Sequence, residues 1–531
     1  RKTYHMHPKI ILIHPPVSKP AEPPAGLAKL AGCLHANGIG HEIIDTNLEG
    51  LLYLITSPVP ETGENDRWTA RAGKHREENL SALRDGKIYQ SRSRYQRAVA
   101  DINRLISRAG KAYSIDLSLA DYRDSRLTPV KSGDLLKAAE TPQNNLFYPY
   151  FAPRLENALK ENPEFIGFSL NYLSQALCTF AMIGFIRRRN PRQKIVLGGS
   201  LTTSWAKITG NKNVFGGLID EIVAGAGEKR LLDLLGCQDG KIDTPPDYRS
   251  FPVHDYLSPV PILPFCTARG CYWRQCSFCP EKAEGSLYLP LSPARVLSQL
   301  QTLGGQMHPG LIHLVDNAVS PAILKTLTQN SPGVPWYGFT RITPRLTDED
   351  FCRALQASGC AMLKLGIESG DQAVLDALSK GIDLPTVSRA LKTIRRAGIA
   401  VYVYLLFGTP PETAESAGKT LSFTVEHHDC IDFLNLAIFN LPVLSAEAQN
   451  LETLTFYDGD LSLYKDFVHP LGWQRADVRR FLERTFKKHP AVAAIIQRTP
   501  DYFTSNHAPF LIPDKAALPV CSRTAASASI E

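Results

Sequence analysis

The alternation of short apolar runs with helix-period stretches constrains this chain's fold more than any other feature. From residue 293 to residue 439 the sequence reads helix 293–303, strand 311–315, helix 322–329, strand 336–339, helix 347–358, strand 362–367, helix 384–397, strand 400–407, helix 414–427 and strand 433–439. With one more strand ahead of Cys266 this makes about six strand–helix units. Strands separated by helices pair in parallel through right-handed crossovers. Such a run predicts a partial (βα)6 barrel of the TIM type, open enough for a large substrate, with its chemistry at the carboxyl ends of the strands.

The same rhythm occurs near the amino terminus. Strand 9–14, Lys-Ile-Ile-Leu-Ile-His, stops at Pro15-Pro16, which removes two backbone donors and forces an extended loop. Helix 26–37, with Leu27, Leu30, Ala31 and Leu34 at helical spacing, and strand 41–45 follow. The pattern resumes with strand 165–169, helix 175–189, strand 194–197 before Gly198-Gly199, and strand 221–224 before Gly225-Ala226-Gly227-Glu228. This predicts an α/β, Rossmann-like (flavodoxin-like) sheet with ligands beyond its carboxyl edge. Glycines at strand ends let a flat ligand approach the backbone, and they fit ordinary tight turns equally well.

Between these strands, residues 60–157 are polar and charged, with a helical pattern over 95–108. They read as an inserted helical segment; a solvated, partly mobile excursion is the other reading. The chain then divides into a first domain (1–242), a proline-rich linker (243–264), the barrel (265–445) and a small helical carboxyl-terminal domain (446–531). The last of these is helical over 478–488 and aromatic and polar over 501–510, and covers the barrel mouth or acts as a plain cap. Its tail, 522–531, is expected to be disordered.

The densest chemistry is the stretch Gly270-Cys271-Tyr272-Trp273-Arg274-Gln275-Cys276-Ser277-Phe278-Cys279-Pro280, where three thiols fall within nine residues. Three thiolates on one loop can hold three corners of a 4Fe-4S cluster and leave the fourth iron open to a ligand. With Cys266, five residues upstream, the loop could instead make a four-thiolate zinc site, although zinc more often uses two separated CxxC pairs and only one is present. The other seven of the eleven cysteines are scattered singly, which is no disulfide framework and fits a reducing compartment. No apolar run approaches the ~20 residues of a membrane helix. Residues 1–8 lack the apolar core of a secretory signal, and a cytoplasmic location is expected. A net charge of +7 over 531 residues, without a dense Lys/Arg stripe, gives no reason to expect nucleic acid.

The loop, with Phe278 before its last cysteine, resembles the cluster-binding loop of radical S-adenosylmethionine (radical SAM) enzymes, in a Cx4Cx2C variant of the commoner Cx3Cx2C. Over roughly residues 8–440 the chain resembles the subgroup that carries an amino-terminal cobalamin-binding domain. The resemblance implies that Cys271, Cys276 and Cys279 ligate a 4Fe-4S cluster. It implies that Glu368 accepts from the ribose of S-adenosylmethionine, that Ser369 and Arg341 donate to its carboxylate, and that Gly408-Thr409-Pro410 turns beside adenine. Asp316-Asn317 occupies the place of the family's Gly-Gly-Glu, which contacts the methionine amine. Ser169-Leu170 and Gly198-Gly199 resemble the elements that surround the cobalamin nucleotide tail, and Pro15, Pro16, Gly225, Gly227 and Glu228 are grouped with them. The Asp-x-His-x-x-Gly motif of many cobalamin domains is missing, and His35 and His41 do not replace it, which implies either cobalamin bound without a histidine beneath cobalt or a domain that has lost the cofactor.

The activity implied is methylation of an unactivated carbon or phosphorus centre through a 5'-deoxyadenosyl radical, on a small-molecule or peptide substrate, with an electron donor such as flavodoxin or ferredoxin. A non-methylating cyclisation or rearrangement, and a sensor without turnover, are the alternatives. RNA modification is less expected for want of a basic RNA-binding module.

Overall fold

The computed structural model describes residues 8–58, 66–455, 458–500 and 508–512. Five parallel strands make the first sheet: β1 (Ile10–His14), β2 (His41–Asp45), β3 (Phe165–Ser169), β4 (Lys194–Gly198) and β5 (Glu221–Ile222), in the order β2-β1-β3-β4-β5. That is the flavodoxin order, whose topological switch point lies between β1 and β3. β1 is buried along its whole length, as befits a central parallel strand covered by helices on both faces.

The second sheet holds β6 (Ile262–Phe265), β7 (Leu311–Leu314), β8 (Trp336–Thr340), β9 (Cys360–Glu368), β10 (Ala400–Phe407) and β11 (Phe433–Ile438), all parallel and in sequential order. Among the described residues β6 and β11 do not pair with each other, so this is an open, partial barrel. Leu363, Leu365, Val401 and Val403 face the outer helices in the larger core, while Ile262, Tyr337, Met362 and Tyr402 fill the interior at the amino ends of the strands. Leu511 and Ile512 pack against that inner cluster. Each such buried side chain is worth about 1.5–3 kcal/mol. Their concentration at one end leaves the carboxyl end free for chemistry.

Three expectations are corrected. The segment 243–264 is no free linker: it ends in most of β6, and Tyr248, Phe251, Tyr256 and Leu257 along it are buried. The Asp247 and Leu257 amides donate to the Ala28 and Pro20 carbonyls, both at 2.8 Å, so its aromatics and spare donors lay it along the first domain. The insertion is packed: helix Arg92–Lys111 buries Tyr95, Val99, Ile102 and Ile106 in the core of the first domain, which removes the reading as a solvated excursion among the described residues. The carboxyl-terminal helices Arg475–Phe481 and Pro490–Arg498 flank β11 instead of covering the mouth, because Val478, Val492 and Ile495 complete the core beside that open edge. The mouth is approached by the preceding small sheet, where Leu441 and Phe467 pack near Phe278. Residues 501–507 and 522–531, expected to be aromatic and disordered respectively, lie outside the described residues. No helix among the described residues is long and apolar enough to cross a membrane.

Candidate active site

The loop that follows β6 carries Cys271, Cys276 and Cys279 as free, half-buried thiols. The segment after β9 pins it. The Ser277 amide donates to the Leu378 carbonyl at 3.0 Å, and Trp273 Nε1 donates to the Ser379 carbonyl at 3.0 Å. Gly381, at φ +67°, lies so closely under Trp273 that a Cβ there would stand 2.1 Å from the ring. The opposite face of the loop meets Arg341, just past β8, whose guanidinium is 4.2 Å from the Trp273 ring centre and 3.8 Å from Cys276 Sγ. Arg341 also donates to the Lys380 carbonyl. Lys380 in turn bonds Glu368 Oε1 at 2.7 Å and sits 5.7 Å from the Phe278 ring centre.

Two buried cations therefore flank Cys276. Burial pushes its thiol up, while Lys380 and Arg341 pull it down toward the thiolate that an iron ligand must be. Cys279 is likewise pushed up by burial, opposed by the amides of Lys282 and Glu281. Cys266 differs: its Sγ donates to the Ala268 carbonyl at 2.8 Å, it lines a separate cavity of about 290 Å³, and burial with Asp316 pushes its thiol up to about 12. Among the described residues no three His, Cys, Asp or Glu side chains, the loop thiols included, are drawn together about a single point. Three free thiols on one loop, with cations to balance a charged cluster and no competing role, fit a 4Fe-4S cluster.

The strand ends divide into groups that face the mouth and groups spent on structure. Glu368 closes β9 at φ +69°, beside a slip in pairing with β10, a conformation uncommon outside glycine that is held here by the Lys380 ion pair. Asn317 is exposed. The Asp316 carboxylate accepts the Thr267 hydroxyl at 2.6 Å and the Thr267 amide at 3.0 Å, and burial holds its carboxyl above the ordinary value. Ser369 is fully enclosed, its hydroxyl taken up by Thr420 at 3.2 Å and by the Asp371 amide at 3.1 Å. At the end of β10 the Gly408 amide donates to the buried Glu412 carboxylate, which Trp473 Nε1 also reaches at 3.0 Å.

A cavity of about 620 Å³ joins the two sheets. His14, Ser169 and Ser200 line it from the carboxyl edge of the first sheet, and His313, Asp316 and Lys364 from the second. Gly198 follows in β4, and Gly199 enters the next helix at φ +109°, where a Cβ would stand 2.3 Å from the Leu170 carbonyl oxygen. The Leu170 amide donates to the Gly198 carbonyl at 2.7 Å, so this turn is drawn against β3. The Pro15 carbonyl accepts from Gln175 at 2.7 Å, which fixes the course of Pro15-Pro16 over the sheet edge. A Cβ at Gly225 would meet nothing within 4 Å. These bare or hydroxyl-bearing strand ends around an open cavity fit a large planar cofactor. Glu228, one residue into the helix begun by Gly227, has another partner: it is buried and paired with Arg269 of the cysteine loop. Sequence reading missed Lys380, His313 and Lys364, since nothing in their spacing marks them; Trp273 was in view within the loop, but its role as the stacking plate for Arg341 was not.

The model of the radical SAM superfamily matches residues 265–424. Among curated relatives, an uncharacterized methyltransferase of Pyrococcus horikoshii is 25% identical over 228 residues, 39% of this chain and 49% of its own length. The anaerobic magnesium-protoporphyrin IX monomethyl ester cyclase of Rubrivivax gelatinosus is 29% identical over 161 residues, 29% of this chain and 28% of its own. The chain thus spans about half the length of the first and less of the second. A solved structure of the radical S-adenosylmethionine methyltransferase TsrM from Kitasatospora setae, with cobalamin and a [4Fe-4S] cluster bound, shares the fold: TM-score 0.50 at 17% identity, covering 88% of this chain and 84% of that one. The matched domain starts at the last residue of β6 and contains the cysteine loop and β7 to β10, so residues 265–424 are similar to the radical SAM superfamily.

Proposed function

We propose that the chain is a cobalamin-dependent radical SAM methyltransferase acting on an unactivated carbon or phosphorus centre of a small molecule or peptide. The observation that carries this reading is a cavity of about 620 Å³ shared by the two sheets, together with three free thiols on the loop after β6. When bound, the cluster supplies an electron for cleaving S-adenosylmethionine and the cobalamin supplies a methyl group. The chain's own part is to hold and orient. Cys271, Cys276 and Cys279 would hold the cluster, with Arg341 and Lys380 balancing its charge. Glu368 would take the ribose and Arg341 the carboxylate of S-adenosylmethionine, while Gly408 shapes the turn beside adenine. Gly198, Gly199, Ser169 and Gly225 would border the cobalamin, and closure of the cavity by both domains would keep water from the reacting carbon. An electron donor of the flavodoxin or ferredoxin type, in a reducing cytoplasm, completes the scheme.

The relative named as a cyclase favours the rival, non-methylating chemistry with the same cofactors. Anaerobic reconstitution with iron, sulfide and hydroxocobalamin tests the cofactor set: about four irons and one cobalt per chain are expected. Iron without cobalt would remove the cobalamin part, and no bound iron would remove the whole. Labelled S-adenosylmethionine with a lysate fraction of small molecules then separates the two chemistries by whether the methyl label enters a product.

A further inference from the structure

The floor of the interdomain cavity carries a chain of polar groups that neither the cluster nor the strand-end residues use. Lys364, in the middle of β9, is only 7% exposed, and its Nζ lies 3.0 Å from His313 Nε2 on β7. The other ring nitrogen, His313 Nδ1, lies 2.8 Å from Glu22 Oε1, which reaches in from the loop after β1. Glu22 as a carboxylate fixes the tautomer: Nδ1 donates to it, and Nε2 is left as acceptor for Lys364. His313 stacks on the buried Tyr337 ring at 4.4 Å and 7°, and Lys364 stands 5.3 Å from the same ring centre, which suits a cation. An ammonium has three donors. Among the described residues His313 takes one of them, and the side chain lines the cavity. A buried donor without an acceptor is costly, so a ligand that brings one gains in proportion.

We propose that this floor is a subsite for an oxyanion of the substrate, a carboxylate-class group received by Lys364 and oriented through His313 and Glu22. The proposal rests on the reading that this cavity houses the substrate. The charged groups acting on Lys364 are Glu22, which raises its value, and Lys19, which lowers it; burial outweighs both and brings it to about 8. Tyr337 lies under Lys364, and His14, Tyr172, His313 and Asp316 are the other titratable groups lining the same cavity. An arriving anion favours the protonated amine, so binding near that pH takes up a proton.

Isothermal titration with valerate and with valeramide, its neutral counterpart, in two buffers of different ionisation enthalpy tests this. Expected are valerate binding at least about ten-fold tighter than valeramide, proton uptake at about pH 8, and loss of at least about ten-fold in valerate affinity in Lys364→Met. Equal affinity for the two probes, or unchanged valerate binding in a Lys364→Met protein that melts like wild type, would overturn it. If Lys364→Met does not fold, the wild-type comparison of the two probes decides. Repeating the titration on protein loaded with hydroxocobalamin and S-adenosylmethionine separates sources: valerate that still binds marks a substrate site, and valerate excluded by loading assigns the anion to a cofactor and refutes the proposal. These readouts do not depend on iron or cobalt content, so failure of the cofactor reading and failure of the subsite are distinguishable.

Discussion

Glu412 offers the sharpest quantitative test of the structure. It is fully buried, its Oε2 accepts from the Gly408 amide and from Trp473 Nε1, and its Oε1 has no hydrogen-bond partner. Burial lifts its carboxyl from the ordinary 4.5 to about 7. Between those values the unfolded chain has released the proton and the folded chain has kept it, so stability falls as pH rises through this window and the full penalty applies above it. At ~1.36 kcal/mol per pH unit the penalty approaches about 3 kcal/mol at about pH 8 and is about 1 kcal/mol at about pH 5. Glu412→Gln reproduces the protonated carboxyl, an acceptor toward Gly408 and Trp473 and a donor in place of Oε1. The variant should therefore match wild type near about pH 5 to within ~1 kcal/mol and exceed it by up to about 3 kcal/mol near about pH 8, measured by urea unfolding of the apo-protein. Curves for the two proteins that run parallel across this range would refute the assignment of a neutral, buried carboxyl under the Gly408 turn.

Cys271→Ala, Cys276→Ala and Cys279→Ala should each abolish iron binding after reconstitution, whereas Cys266→Ala should retain it; iron lost in the Cys266 variant alone would reverse the ligand assignment. Gly381→Ala forces a Cβ against Trp273 at a positive φ, so it should loosen the cysteine loop and lower bound iron several-fold while a melting scan moves little; undiminished iron would show that the stacking of Trp273 is not what orders the loop. Gly199→Ala should destabilise by about 3 kcal/mol and lower cobalamin uptake, because its Cβ meets the Leu170 carbonyl at a positive φ, while Gly225→Ala, also at positive φ (+77°) but with open space at its Cβ, should cost only the ~1–2 kcal/mol of left-handed backbone. Equal effects at the two positions would remove the steric argument.

Strand positions were legible because a parallel strand covered on both faces is a short, nearly continuous apolar run, as in residues 9–14 and 400–407, and such runs leave little choice of partner once helices separate them. The three loop thiols were legible because no packing role explains three of them within nine residues. What stayed hidden depends on the third dimension. The helix at 95–108 was legible from its apolar stripe, but the polarity of residues 60–157 concealed that this stripe, on Arg92–Lys111, packs into the core of the first domain. Proline content marked 243–264 as a linker, yet its tyrosines and phenylalanine bury against the first domain, and composition does not report partners. Ser369 shows the opposite failure. Its place beside Glu368 suggested a ligand contact, but the left-handed turn at Glu368 swings the next side chain toward Thr420 and away from the mouth.

The same contacts explain why the cysteine loop needs both domains. From the barrel it is held by Leu378, Ser379 and Arg341; from the first domain, Glu228 pairs with Arg269 at its start, and Ser204 Oγ and Lys207 Nζ bond Glu284 just past its end, each at 2.6 Å. Ser204 and Lys207 lie on the helix that begins at Gly199, the turn assigned to the cobalamin side. A ligand that orders this turn therefore orders the helix whose far side grips the cluster loop, and a loop ordered by its cluster returns the constraint. Reciprocity of binding free energies then requires the coupling to run both ways. Reconstitution with iron should raise hydroxocobalamin affinity, and hydroxocobalamin should raise retained iron under chelation, by the same factor. Lys207→Met, which cuts the bridge without touching either pocket, should reduce that factor toward one, and a coupling that survives the substitution undiminished would show that it travels by another route.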